Sequence, residues 1–170
     1  LVAFVSRRGD DPDRGNDANV FVVEARTGAT PRALTTFPGE DGGRPAFSPD
    51  GKWVAYLQGA EVGFTAYAQQ KLAVVPVEGG PARLLNPSLD RPVDDPILFT
   101  PDGKSLLFSV VDDRSQWIGR TPLGGGEVER LTTGPRVVQA IAQGGGRLAV
   151  LASTDAELPE VCALEEGRLR

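Results

Sequence analysis

The chain of 170 residues has no histidine, no methionine, a single cysteine and no long apolar run. Each absence narrows what it can do. Acyl transfer by a Ser-His-Asp or Cys-His arrangement needs a base that titrates near neutrality, and histidine is its usual supplier. The Gly-x-Ser-x-Gly turn that exposes a nucleophilic serine is missing too. The chain by itself is therefore not expected to be a self-contained hydrolase, and no catalytic residue is assigned. Cys162, being alone, supports neither an internal disulfide nor a cysteine metal site, and reads as a small buried apolar residue. No apolar stretch approaches the ~20 residues of a membrane-spanning helix. Without methionine, and opening directly on the strand-like "LVAFVS", the chain is expected to be an excised or processed piece.

Charge of one sign is also not concentrated. The 18 basic and 23 acidic residues give a net charge of −5, and Lys and Arg form no stripe. Nucleic acid is therefore not an expected partner.

What is abundant is glycine, at 21, and proline, at 14, spaced along the chain rather than clustered. Between them lie short runs rich in Val, Leu and aromatics: "VAFVS" (2–6), "NVFVVEA" (19–25), "KWVAYL" (52–57), "KLAVVPV" (71–77), "SLLFSVV" (105–111), "QWIGRT" (116–121) and "RLAVLAS" (147–153). They are too short for helices and predict an all-β chain. The one helix candidate, "AEVGFTAYAQQ" (60–70), is weakened by Gly63 and its β-branched residues.

These runs repeat. "FSPDGKWVAYL" begins at Phe47 and "FTPDGKSLLFS" at Phe99, 52 positions later. Arg32, Arg83 and Arg130 open the same closing run, "RAL", "RLL" and "RLT". Four short strands per unit and a period near 50 residues are the signature of β-propeller blades. The units divide as a partial blade (1–42), two blades (43–90 and 91–135) and a degenerate partial blade (136–170). That makes about three to four blades of an incomplete ring. Strands sandwiched between neighbouring blades should read as continuous apolar runs, as "WVAYL" and "LLFSVV" do.

The repeated Pro-Asp-Gly then reads as turn chemistry. Pro49 and Pro101 preset φ, Asp50 and Asp102 tolerate the next corner, and Gly51 and Gly103 take the left-handed position that re-enters the strand. Gly144-Gly145-Gly146 plays this part in the last unit.

Few residues invite a chemical reading. "DDPDRGNDAN" (10–19) is rich in oxygen ligands, but counting from Asp11 puts Val22 where a calcium loop needs glutamate, so it reads as a solvated loop. Asp94-Asp95, Glu165-Glu166 and Asp112-Asp113-Arg114 read as exposed loop charges. Trp53 and Trp117 fall inside strands and read as core. The insertion at 59–70 carries Phe64 and Tyr67 in polar surroundings. They either cap the blade or face a substrate or partner, since function favours loops on a rigid scaffold. No cofactor and no metal ligand set is expected.

At "RPAFSPDGKWVAYLQG", "QKLAVVPVEGGPARLL" and "DDPILFTPDGKSLLFSVVDDR" the chain resembles the N-terminal propeller of prolyl oligopeptidase-family serine peptidases, in the acylaminoacyl-peptidase and dipeptidyl-peptidase branch. "NDANVFVVEARTGATPRALTTFPGEDGGRPAFSPDGKW" is similar to bacterial members of that branch. The aromatic-Ser-Pro-Asp-Gly-Lys turn is shared with Tol-Pal-type periplasmic propellers, which bind proteins or peptides without chemistry. The resemblance implies a seven- or eight-bladed ring over a separate C-terminal α/β-hydrolase domain, which is the expected partner along with peptide substrates. It also implies a bacterial periplasmic or secreted setting. The paired glutamates that dipeptidyl peptidases use to hold a substrate N-terminus are not recognisable here. A piece of a ring leaves blade faces open, so self-association is a further expectation.

Overall fold

In the computed structural model, residues 1–8, 17–64, 67–165 and 167–170 are described. Three strands, β1 (Val2–Ser6), β2 (Asn19–Val23) and β3 (Arg32–Ala33), make the first antiparallel sheet, in chain order. The second sheet is β4 (Gly39–Phe47), β5 (Trp53–Glu61), β6 (Lys71–Pro76) and β7 (Arg83–Leu84), also in chain order. Two further four-stranded meanders follow: β8 (Val93–Phe99), β9 (Ser105–Asp112), β10 (Ser115–Pro122) and β11 (Glu129–Arg130), then β12 (Val137–Gly144), β13 (Arg147–Ser153), β14 (Glu160–Glu165) and β15 (Arg168–Leu169). A single parallel bridge, Gln116 to Val137, joins these two. The chain is a β-propeller segment of successive up-and-down blades. The last stretch, which reads as degenerate, carries four paired strands. In place of the helix candidate stands one turn of 3-10 helix, Val62–Phe64.

Period-two alternation splits each middle strand between two neighbours. On β5, Val54 and Tyr56 join Val20, Val22 and Leu34 of the first blade in one core. Ala55 and Leu57 of the same strand join Leu106, Phe108, Val110 and Trp117 of the third blade in another. On β9 the odd residue, Leu107, turns instead to Ile118, Val138, Ile141 and Val150. That is why Val54–Leu57, Leu72–Val75 and Leu106–Val110 are unbroken buried runs. Each Val, Leu or Phe side chain in these runs contributes on the order of 1.5–3 kcal/mol on burial, and none could be buried by its own blade alone. Trp117 lies in the core at 8% exposure, whereas Trp53 only packs half-buried on its margin. Cys162 is likewise half-buried rather than core, because β14 lies toward the outer edge of its blade.

The Pro-Asp-Gly stretches join β4 to β5 and β8 to β9 with matching bonds. The Gly51 N–H donates to Ser48 O at 2.9 Å and the Gly103 N–H to Thr100 O at 2.8 Å. Asp50 Oδ1 accepts from Ser48 Oγ (2.6 Å) and the Lys52 N–H (3.1 Å); Asp102 Oδ1 accepts from Thr100 Oγ1 (2.6 Å) and the Lys104 N–H (3.0 Å). The hydroxyl bond, then the amide, hold both carboxyls below their usual range. Gly51 and Gly103 have φ of 71° and 69°. A Cβ at Gly51 would meet nothing within 4 Å, so any side chain there is opposed by the backbone conformation alone. Gly51→Val and Gly103→Val are each expected to destabilise the chain by about 1–2 kcal/mol or more, read as a lower midpoint in urea. Gly51→Asn should recover most of that loss.

Candidate functional site

β5 runs beyond its pairing with β6 to Glu61, and the chain returns to β6 only at Lys71. The intervening loop is closed by N–H groups of Tyr67 and Ala68 that both donate to Phe64 O, at 3.0 and 3.1 Å. This leaves Phe64 63% and Tyr67 90% exposed. The Pro-Asp-Gly turns sit at the other end of β5, and the two turns lie side by side: a Cβ on Gly103 would be 3.5 Å from Pro49 Cδ. Aromatic loop and turn pair therefore occupy opposite rims and form no common site.

The acidic loops are more structured than their composition implies. Asp94 and Asp95 lie within β8, at a register shift, and not in a loop. Asp95 accepts the Arg44 N–H with both oxygens at 3.1 Å, tying inner strand β8 to inner strand β4. Asp112 ends β9 at the hairpin and holds the Arg91 Nε at 2.6 Å, with Arg130 Nη1 at 3.9 Å. The Arg91 hydrogen bond is the main reason its carboxyl lies below the usual range. Glu165 ends β14. Residues 10–16 of the calcium-like stretch, and Glu166, lie outside the described residues.

Two of the arginines that open the closing runs, Arg32 and Arg83, are latches, a role the repeat signalled without revealing. Arg32 Nη2 donates to Val77 O of the next blade at 2.6 Å, and Arg83 Nη2 to Leu123 O of the next blade at 2.6 Å. The Arg83 guanidinium also lies 5.9 Å from the Trp53 ring centroid, and that of Arg130 lies 5.0 Å from Trp117. One planar cation thus covers its own blade's tryptophan and, in Arg83, grips the neighbour as well.

Sequence pattern alone did not single out Asp41. It sits on β4 at 1% exposure with Tyr56 buried nearby, and Thr35 Oγ1 donates to its Oδ2. Beside it a cleft of about 270 Å³ is lined by Leu34, Thr35, Thr36, Phe37, Tyr56 and Gln58, among others. Among the described residues no three His, Cys, Asp or Glu side chains gather where they could hold a metal ion.

A rigid scaffold of blades with rim loops defines the class: a segment of β-propeller. No protein-family model matches the chain, and no characterised protein sequence matches it. Solved structures do. TolB from Acinetobacter baumannii aligns with a TM-score of 0.69 and 21% identity, over 98% of this chain and 39% of its own. The β-propeller domain of the trilobed protease from Pyrococcus furiosus aligns at 0.70 and 14%, over 99% and 49%. Acylaminoacyl peptidase from Pyrococcus horikoshii aligns at 0.72 and 15%, over 99% and 25%. The chain thus spans half or less of these three proteins, and the likeness is one of fold.

Arg83→Ala removes both a latch and a ring cover. It is expected to cost about 1–2 kcal/mol in urea denaturation, and Arg83→Lys should restore only part of it.

Proposed function

We propose that the chain is a non-catalytic propeller segment of a prolyl oligopeptidase-family serine peptidase. In this reading it gates and positions peptide substrates for a separate α/β-hydrolase domain. The observation that carries the reading is the match of nearly the whole chain to peptidase propellers, in a sequence with no histidine of its own. Phe64 and Tyr67, presented on one rim, are the proposed substrate- or partner-facing residues. Exposed aromatics on a fixed loop give contact area at small entropic cost, which suits capture of an extended peptide.

A second reading, a TolB-like module that binds a protein or peptide without chemistry, is favoured by the 21% identity to TolB over 98% of the chain. The reading frame past Arg170 separates the two. It is expected to encode further blades and then Gly-x-Ser-x-Gly followed by Asp and His. A frame that ends once the ring closes decides for the binding module. In either protein, replacing Phe64 and Tyr67 together with serine should leave stability within about 0.5 kcal/mol and weaken peptide binding by calorimetry.

Produced alone, the chain is proposed to self-associate through its open blade faces. Phe4 and Phe21 stack at 5.8 Å on the face of the first blade turned away from the second, under the Arg8 guanidinium, since Ala3 and Val5 on either side of Phe4 pack into that seam. Light scattering is expected to give twice the mass of one chain, and a stable monomer would refute the proposal.

A further inference from the structure

One buried polar group is left unused by the reading above. Asp41 lies in the seam between the first and second blades, where its N–H donates to Ala18 O at 2.8 Å. Thr35 Oγ1 accepts the Val20 N–H at 2.9 Å and directs its hydrogen to Asp41 Oδ2, the nearer acceptor, with Asn19 Oδ1 at 3.3 Å. The other oxygen, Asp41 Oδ1, is buried without a partner among the described residues. From β5, Gln58 stands opposite Asp41 in register, and the Tyr56 hydroxyl donates to Gln58 Oε1 at 3.2 Å.

The described charged groups around this point do not compensate it. Glu40, next on β4, is paired at the surface with Arg7 at 2.9 Å. Asp17 precedes β2 and carries the same sign. Lys71, on β6, donates to Leu89 O. No cation pairs with Asp41 among the described residues, and the buried phenol of Tyr56 is itself pushed up by burial and by the Asp41 charge.

The fold does not require a carboxylate there. Counting 52 positions on, the next blade carries Val93, Phe108 and Val110 where this one carries Asp41, Tyr56 and Gln58. Val93 is buried at 3% and faces Val110 in the same register that pairs Asp41 with Gln58. The next seam buries polar groups too, Asn86 among them, but none that ionises; among the described residues only the first seam buries a carboxyl group.

We propose that the seam between the first two blades is a pH-sensitive joint, tight while Asp41 is neutral and loosened when it ionises. Burial raises this carboxyl to about 6, only partly opposed by the Thr35 hydrogen bond. The folded value thus lies above the unfolded one of about 3.9. The stabilisation is then complete below the unfolded value and is lost as pH rises toward and through 6. Asp50, Asp102 and Asp112 are shifted the other way, so their contribution is lost only as pH falls below the ordinary carboxylate range. The two effects occupy different windows.

Hydrogen exchange across pH, corrected for the intrinsic rate, tests the joint. Protection of the Val20, Leu34 and Asp41 amides is expected to fall roughly 50-fold between about pH 4 and pH 7.5. Protection at Phe108 and Ile118 should fall far less. Asp41→Asn and Asp41→Val, the latter matching Val93, should each abolish the difference. An equal fall in all blades, or a fall that persists in both variants, overturns the proposal. Should neither variant fold, carbon-detected NMR titration of Asp41 in the unaltered chain decides: a midpoint near 6 supports the joint, and one below about 4.5 refutes it.

Discussion

A blade of this protein cannot bury itself. Each sheet is one layer thick, so a middle strand such as β5 has two apolar faces and needs a neighbour on both sides. Every other feature follows from that requirement. It makes the runs Val54–Leu57 and Leu106–Val110 continuous, and it places the cores between blades rather than within them. It also gives the arginines of the closing strands their reach, because Val77 O and Leu123 O belong to the next blade. Cohesion is nearest-neighbour, as in other repeat proteins.

The same dependence explains what was legible beforehand. Apolar runs, Pro-Asp-Gly turns and the 52-residue offset are local or periodic, and local signals survive in sequence. The strand content and the propeller class could therefore be read directly. What escaped depends on which strand lies across a seam. Asp94 and Asp95 look like loop charge because an Asp-Asp-Pro triplet suits a turn, yet they stand in β8, where Asp95 satisfies an amide of β4. Trp53 and Trp117 look alike in sequence, but only the second is buried in the core between the second and third blades, while the first packs on that core's margin. The strand pattern of 136–170 looks degenerate because Ala, Gly and Gln replace larger residues, while register needs only alternation and turns. Cys162 looks apolar and lies half-buried, because an outer strand needs one covered face.

The candidate site was legible in part. Phe64 and Tyr67 stand out as aromatics in a polar insertion, and exposure of both follows from a loop that leaves the blade and closes on itself. Such a loop costs the scaffold little, because none of its described residues belongs to the inter-blade cores. Functional variation can then accumulate there without disturbing the packing that holds the ring segment together. The Pro-Asp-Gly turns are the opposite case: repeated and polar, they invite a ligand reading, but their carboxylates are already engaged by their own turn.

Asp41 was legible only through comparison of one blade with the next. The closing strands are followed directly by Leu34-Thr35, Leu85-Asn86 and Leu131-Thr132, and the residue after each leucine is buried. In two of the three blades its hydroxyl takes up an amide of the third strand or its equivalent, Val20 N–H by Thr35 and Ile118 N–H by Thr132. That slot is structural and general. Only in the first seam does the hydroxyl also meet a carboxylate, because β4 brings Asp41 where β8 brings Val93. A repeat makes such departures visible: where copies share a backbone plan, a polar group buried in one and apolar in the next is not demanded by packing. Its cost falls on one joint between blades and leaves the other cores untouched, which confines any opening to that joint.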